Sequence, residues 1–282
     1  MKKILVPTDF SKTAQLAVEV AVDVAKRAEA ELILLHVIEE PSETSLNITG
    51  EVDLSEAWED KIFTMKLIER SKKQMARLFH ELRDNGLKVK QEMRMGSAFY
   101  GIRDIIAGHM VDLVVMGTEG RSKIEEMIIG SNTEKVIRQA KCPVLTVHQK
   151  PVTTDFKNIV YATAMAKDEK VFSGIIRCTQ ELYDSTVHLL RINTPGNFQR
   201  DVVIRKYMHD FAKKLQLKNF TINIFNDLTE EEGIVYFADS VNADLIAMAT
   251  HGRTGFAHLL AGSIAEDVVF HSRRPVLTFI TK

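Results

Sequence analysis

Short apolar runs alternate along this chain with longer stretches in which apolar residues return every three or four positions. Ile4 to Val6 predicts a strand, Ser11 then stands where a helix N-cap belongs, and Ala14, Ala17, Val18, Ala21 and Ala25 recur at helical spacing. Leu32 to Ile38 predicts a second strand. A long helix is expected from about Trp58 to Leu82, with Ile62, Met65, Met75, Leu78, Phe79 and Leu82 on one buried face. The methionines there fill core rather than ligate. Leu87, Val89, Met93 and Met95 alternate as a strand, and Ile102, Ile105 and Ile106 mark a helix. Leu113 to Met116 reads as a continuous buried strand, and Val136-Ile137 precede a last one at Pro143 to Val147. The order βαβαβαβαβ implies a parallel sheet with helices on both faces, wound in two directions.

The pattern then starts again. Ile4 to Asp9 and Leu35 to Val37 match Ile159 to Ala164 and Leu190 to Ile192 at an offset of 155, and Asp112 to Val147 aligns on Asp244 to Phe279 at an offset of 132. The second block is identical at 14 of 36 positions, where ordinary composition gives roughly two by chance. The chain is therefore a duplication, expected as domains over 1–150 and 151–282, joined at the polar, Pro-bearing segment Lys150 to Asp155. The offsets differ by 155 − 132 = 23 residues, a segment missing from the second copy. The candidate is Glu39 to about Asp60, which lacks periodicity and is expected as a long loop.

Charge excludes some partners. With 37 Lys and Arg against 38 Asp and Glu in 282 residues, no basic excess points to nucleic acid or an anionic membrane. The apolar start is interrupted by Pro7 and Asp9, and no later run approaches a membrane span, so a cytoplasmic protein is expected. Cys142 and Cys178 have no metal-ligand spacing, and both are expected to be buried, reduced and structural. The histidines show no ligand spacing either, and no metal site is assigned. Asp112 and Asp244, before the fourth strand of each copy, are expected to be turn or cap residues.

The chemistry gathers after that fourth strand. Gly117 and Gly120 follow it directly, and after nine intervening residues come Gly130 and Ser131. Glycines at a strand end permit positive φ and let main chain approach a ligand, while amides at the next helix start attract anionic oxygens. Asp9, ending the first strand, is expected to meet Gly117 where the winding reverses, and Val37 to offer main-chain groups to a base.

ILVPTDFS, LLHVI, VDLVVMGTEGR, GSNTEKVI and CPVLTV resemble, in order, segments of the universal stress protein family, and the likeness covers nearly the whole chain. The family's glycine signature falls on Gly117, Gly120, Gly130 and Ser131. The resemblance implies two tandem α/β domains of the non-Rossmann, adenine nucleotide alpha hydrolase-like class, each with about five parallel strands. It also implies ATP binding, with Mg2+ as a companion ion and ADP or AMP as alternatives. The nucleotide contacts it implies are Pro7, Asp9, Val37, Met116, Gly117, Gly120, Arg121, Gly130, Ser131 and Asn132. It further implies that the last strands pair the two halves, or pair copies in a homo-oligomer.

In the second copy Ala164 replaces Asp9 and Ala249 replaces Gly117, although Gly252, Gly262 and Ser263 persist, so nucleotide is expected in the first copy. The favoured reading is an ATP-dependent regulatory protein of the stress response. An ATPase or phosphoryl-transfer enzyme is the rival, and the sequence has no GxxxxGK[ST] loop or kinase set to support it. A scaffold without bound nucleotide is the third reading.

Overall fold

The computed structural model describes residues 1–39, 54–118, 130–165, 169–251 and 264–281. The first copy runs β1 (Lys3–Pro7), α1 (Lys12–Ala28), β2 (Glu31–Ile38), α2 (Leu54–Asp84), β3 (Val89–Met95), α3 (Ala98–His109), β4 (Leu113–Gly117), α4 (Ser131–Gln139) and β5 (Val144–Val147). The second runs β6 (Asn158–Ala162), α5 (Lys170–Tyr183), β7 (Thr186–Asn193), α6 (Asp201–Leu215), β8 (Phe220–Asn226), α7 (Glu230–Ser240), β9 (Leu245–His251), α8 (Ile264–His271) and β10 (Val276–Thr281). Both copies keep the expected βαβαβαβαβ order. Helix α1 forms where its caps specify it: Ser11 Oγ accepts the Ala14 amide at 3.2 Å, and Glu29 ends the helix with φ 51°.

All strands join one sheet in the order β3-β2-β1-β4-β5-β10-β9-β6-β7-β8. Every pairing is parallel except β5 with β10, where Leu145 faces Leu277, Val144 faces Thr278 and Thr146 faces Val276. At the offset of 132 these pairs map onto themselves or onto each other, so a pseudo-two-fold axis passes between Leu145 and Leu277. The Thr146 hydroxyl donates to the Val276 carbonyl at 3.2 Å, and the Thr278 hydroxyl to the Val144 carbonyl at 3.4 Å. Each copy thus covers the other's open edge, and the last strands lie at the centre of the sheet.

Two apolar layers sandwich the sheet, one under α1, α2, α5 and α6, the other under α3, α4, α7 and α8, and each runs through both copies. The link between copies is tied to α1: Thr154 Oγ1 donates to Asp23 at 2.6 Å, and Arg27 pairs with Asp155 at 3.0 Å. On the other face Arg138 of α4 grips Glu266 of α8 with two hydrogen bonds, 2.5 and 2.7 Å. Asp112 Oδ2 accepts the Lys2 and Lys3 amides and Asp244 Oδ2 that of Asn158, the expected capping role.

Three expectations need correction. The stretch expected as a loop up to Asp60 is helical from Leu54, while 40–53 lies outside the described residues. Ile62 and Met65 do not face the core but are 50% and 64% exposed, whereas Ser71, Met75 and Leu82 are buried. The 31 residues of α2 extend about 46 Å, against about 23 Å for the seven residues of β3, so half the helix outruns the sheet. Its counterpart α6 has 15 residues, about 22 Å, and matches its strand. Cys178 is exposed rather than buried, on the flank of α5 that it shares with Gly174 one turn before it.

Candidate functional site

Strand β1 has β2 on one side and β4 on the other, so the winding reverses between β1 and β4 and leaves a crevice at their carboxyl ends. Pro7 closes β1, Asp9 follows two residues later, Val37 lies near the end of β2, and Gly117 closes β4. Gly130, Ser131 and Asn132 open α4. The fold therefore gathers these predicted residues around one crevice. Gly120 and Arg121 lie outside the described residues, as do Gly252, Gly262 and Ser263 of the second copy.

The floor is a tight turn. The Thr8 amide donates to the Leu35 carbonyl at 2.8 Å, Thr8 Oγ1 accepts the Phe10 amide at 3.1 Å, and Asp9 Oδ1 accepts the Ser11 amide at 2.9 Å. Phe10 has φ 61°, and its ring packs 4.6 Å from that of His36. His36 is buried beneath: Nδ1 donates to the Thr8 carbonyl at 2.7 Å, and Nε2 lies 3.1 Å from the Ser71 hydroxyl. A carbonyl only accepts, so Nδ1 carries the proton and ties β1, β2 and α2 together under the crevice.

One wall is the end of β2. Leu35 O points toward β1 and Ile38 O toward the β3 side, where it takes the Gly96 amide at 2.9 Å. Val37, in phase with Leu35, therefore turns its main chain toward the space past the end of β1. Its side chain is committed elsewhere, against Gly101 of α3.

The opposite wall is the start of α4. Gly130, φ −56°, occupies the N-cap without a side chain, so no side-chain cap engages the first amides of the helix. The helix dipole and these amides favour an anion here. Gly130 N–H donates to the Thr118 carbonyl at 2.9 Å and Thr133 Oγ1 to the Gly117 carbonyl at 3.1 Å, which fixes the helix start to the end of β4. Asn132 Nδ2 donates to Glu39 Oε1 at 3.3 Å, joining the two walls across the crevice. The Met116 side chain is buried in the core, which leaves its main chain to serve the site.

Sequence reading missed Thr133, Glu39 and the His36–Ser71 pair. Thr133 could have been found as the next hydroxyl after Gly130-Ser131. Ser71 carries no local signal, because its role depends on how α2 lands on β2. Positive φ was also expected of the glycines, but neither Gly117 nor Gly130 has it. Gly117 is needed for space, since a Cβ there would stand 2.9 Å from the Thr13 carbonyl carbon.

The equivalent place in the second copy is built differently. Thr163 Oγ1 accepts the Met165 amide at 2.8 Å and Met165 has φ 60°, repeating the turn of Thr8 and Phe10. Ala164 is exposed where Asp9 stands in the first copy. Helix α5 starts at Lys170, and just before it the buried Glu169 accepts the Tyr161 and Thr163 hydroxyls, both at 2.6 Å. Burial and the neighbouring Glu169 push the Tyr161 hydroxyl's pKa far up, so it stays a donor. A carboxyl group therefore occupies the foot of the second crevice.

Two doubly wound α/β units, each with a switch-point crevice and joined through their last strands, define the class of this protein. The chain belongs to the universal stress protein family, whose model matches residues 1–148 and 155–279. It is similar to universal stress protein MJ0577 of Methanocaldococcus jannaschii, 36% identical over 156 residues, 53% of this chain and 96% of that protein. It is also similar to YxiE of Bacillus subtilis, 32% identical over 151 residues, 51% of this chain and 97% of that one. Each of these relatives has the length of one copy. A universal stress protein from Archaeoglobus fulgidus DSM 4304 shares the fold at TM-score 0.75 and 20% identity, with 99% of this chain and 98% of that one covered. Among the described residues no helix is long and apolar enough to cross a membrane.

Proposed function

We propose that the first copy, residues 1–150, binds an adenine nucleotide, with ATP as the principal ligand, and that the chain acts as a nucleotide-dependent regulatory protein in the cytoplasmic response to stress. The observation that carries this reading is the uncapped start of α4 at the switch point, joined across the crevice to the end of β2 by Asn132 and Glu39. The α4 amides and the Ser131 hydroxyl would receive phosphate oxygens, Asp9 the ribose or base side, and the Val37 main chain the adenine edge. Mg2+ would accompany the phosphates, with ADP or AMP as alternative occupants. Residues 151–282 form the second domain, in which Ala164, Ala249 and Glu169 oppose a polyphosphate.

Occupancy acts as a signal only if the nucleotide prefers one arrangement of the chain over another. The continuous sheet and shared core make the two copies one packed unit, so the preference would be felt across β5 and β10. The test is to denature gently purified full-length protein, identify released small molecules by mass spectrometry, and titrate the emptied protein with ATP and GTP calorimetrically. ATP binding that weakens at least tenfold in Gly130→Val, with the fold unchanged, is expected. No released nucleotide and no ATP heat would leave a scaffold as the reading.

A further inference from the structure

A cavity of about 260 Å³ lies on the pseudo-two-fold axis, on the face of the sheet under α1 and α5. Part of its lining comes in pairs related by the repeat, Leu113 with Leu245, Leu145 with Leu277, and Val24 of α1 with Thr179 of α5, and α5 supplies much of the rest. Leu113 begins β4, whose other end is Gly117, and the lining shares no residue with the candidate nucleotide crevice. The two sites are separate.

The walls suit hydrocarbon. Two polar groups there are already engaged, since Asp112 holds the Lys2 and Lys3 amides and Thr179 Oγ1 donates to the Ile175 carbonyl at 2.9 Å, while the Tyr183 hydroxyl is buried without a hydrogen-bond partner among the described residues. Water needs two to four polar partners to be held in such a place, whereas apolar cavities of roughly 150 Å³ are known to stay dry and accept a benzene ring. A buried charge would face the full desolvation penalty against this lining.

Gly174 keeps the mouth open. It stands in the interior of α5, where glycine is about 1 kcal/mol worse than alanine. Neither backbone nor packing requires it: it has no positive φ, and a Cβ there would meet nothing within 4 Å. Its counterpart in the first copy is Glu19. One helical turn further, Cys178 places an exposed thiol at the same lip.

We propose that this cavity takes one small, neutral, mainly hydrocarbon molecule, a short alkyl chain or a single ring with any hydroxyl held at the mouth. Such a ligand touches both copies at once and strengthens their pairing along β5 and β10. Octanol is the probe, titrated into full-length protein carrying 13C-labelled leucine methyl groups. Saturable shifts and intermolecular Overhauser contacts to Leu145 and Leu277 are expected, with a raised melting temperature. Gly174→Leu, which fills the mouth, should weaken binding at least tenfold, and Gly174→Ala should change it less than threefold. The proposal is overturned by no saturable shift up to the solubility limit of octanol, or by contacts confined to leucines away from the cavity, such as Leu67 on α2. A folded Gly174→Leu protein that binds octanol unchanged overturns it too. If Gly174→Leu fails to fold, the Overhauser contacts of the unmodified chain decide alone.

Discussion

Gly117 and Thr13 approach so closely that a Cβ on Gly117 would stand 2.9 Å from the Thr13 carbonyl carbon and 3.1 Å from the Ala14 amide nitrogen. The first glycine of the signature therefore serves the fold before it serves any ligand, by letting the first turn of α1 rest on the end of β4. Gly117→Ala is expected to lower stability by about 1–3 kcal/mol, the range for overpacking that the backbone must absorb. Urea denaturation checks it. An unchanged midpoint would mean that α1 shifts aside without cost.

The second copy has lost that glycine. Ala249 holds the equivalent position, and the Glu169 carboxyl, just before α5, is turned into the fold. One ATP per chain is expected by calorimetry. Ala164→Asp with Ala249→Gly should not add a second, because Glu169 remains. A stoichiometry of two in that double variant would show that Glu169 does not close the second crevice.

Much of this was legible in the sequence, and the reason is local. Strands such as Ile4 to Val6 and Leu113 to Met116 are apolar runs buried on both faces, and Ser11 lies one residue before α1, so pattern and cap alone fixed them. The pairing of the last strands was implied by the family resemblance, which left open whether they join the two halves or two copies, and β5 pairs with β10 of the same chain. Helix α2 was misread at Ile62 and Met65 because its apolar period continues past the point where the sheet stops. Periodicity reports which face could be buried, while strand length decides how much of it is. Glu169 was invisible for a different reason: its partners Tyr161 and Thr163 are close in sequence, but no spacing marks a carboxyl just before a helix as turned inward.

Arg138 and Glu266 join α4 to α8, and the repeat does not announce the pair, because Phe270 occupies the position equivalent to Arg138. Glu266 is buried to 6% exposure, so removing the guanidinium takes two charge-assisted hydrogen bonds from a buried carboxylate on the face between copies. Arg138→Ala is expected to destabilise the chain by about 1–3 kcal/mol, because hydrogen bonds to a buried charged group are lost. Arg138→Met with Glu266→Leu should recover most of that loss. Chemical denaturation of the four proteins checks it, and a harmless Arg138→Ala would show that Glu266 is solvated from elsewhere.

The two cysteines should behave differently. Burial, with Asp112 nearby, pushes the Cys142 thiol up to about 12, so it stays protonated and shielded at neutral pH, while Cys178 is exposed. Thiol titration of the native protein at pH 8 is expected to find one fast-reacting group, lost in Cys178→Ser. Two fast groups in the folded protein would contradict the burial of Cys142.

His188 on β7 makes the folded state sensitive to acid. Its Nδ1 lies 2.9 Å from Thr221 Oγ1, its Nε2 is buried without a hydrogen-bond partner among the described residues, and burial lowers its pKa below the ordinary 6.5. In the unfolded chain the ring takes up a proton near pH 6.5, which the folded protein declines until the pH is lower. Below 6.5 the unfolded state therefore binds more protons, and stability falls as pH drops toward the folded pKa; above 6.5 the contribution is constant. Denaturation of the full chain and of His188→Gln between pH 5 and 7.5 isolates the effect from the other histidines. The unmodified protein should lose more stability on the acid side, and parallel curves for the two proteins would show that His188 titrates alike in both states.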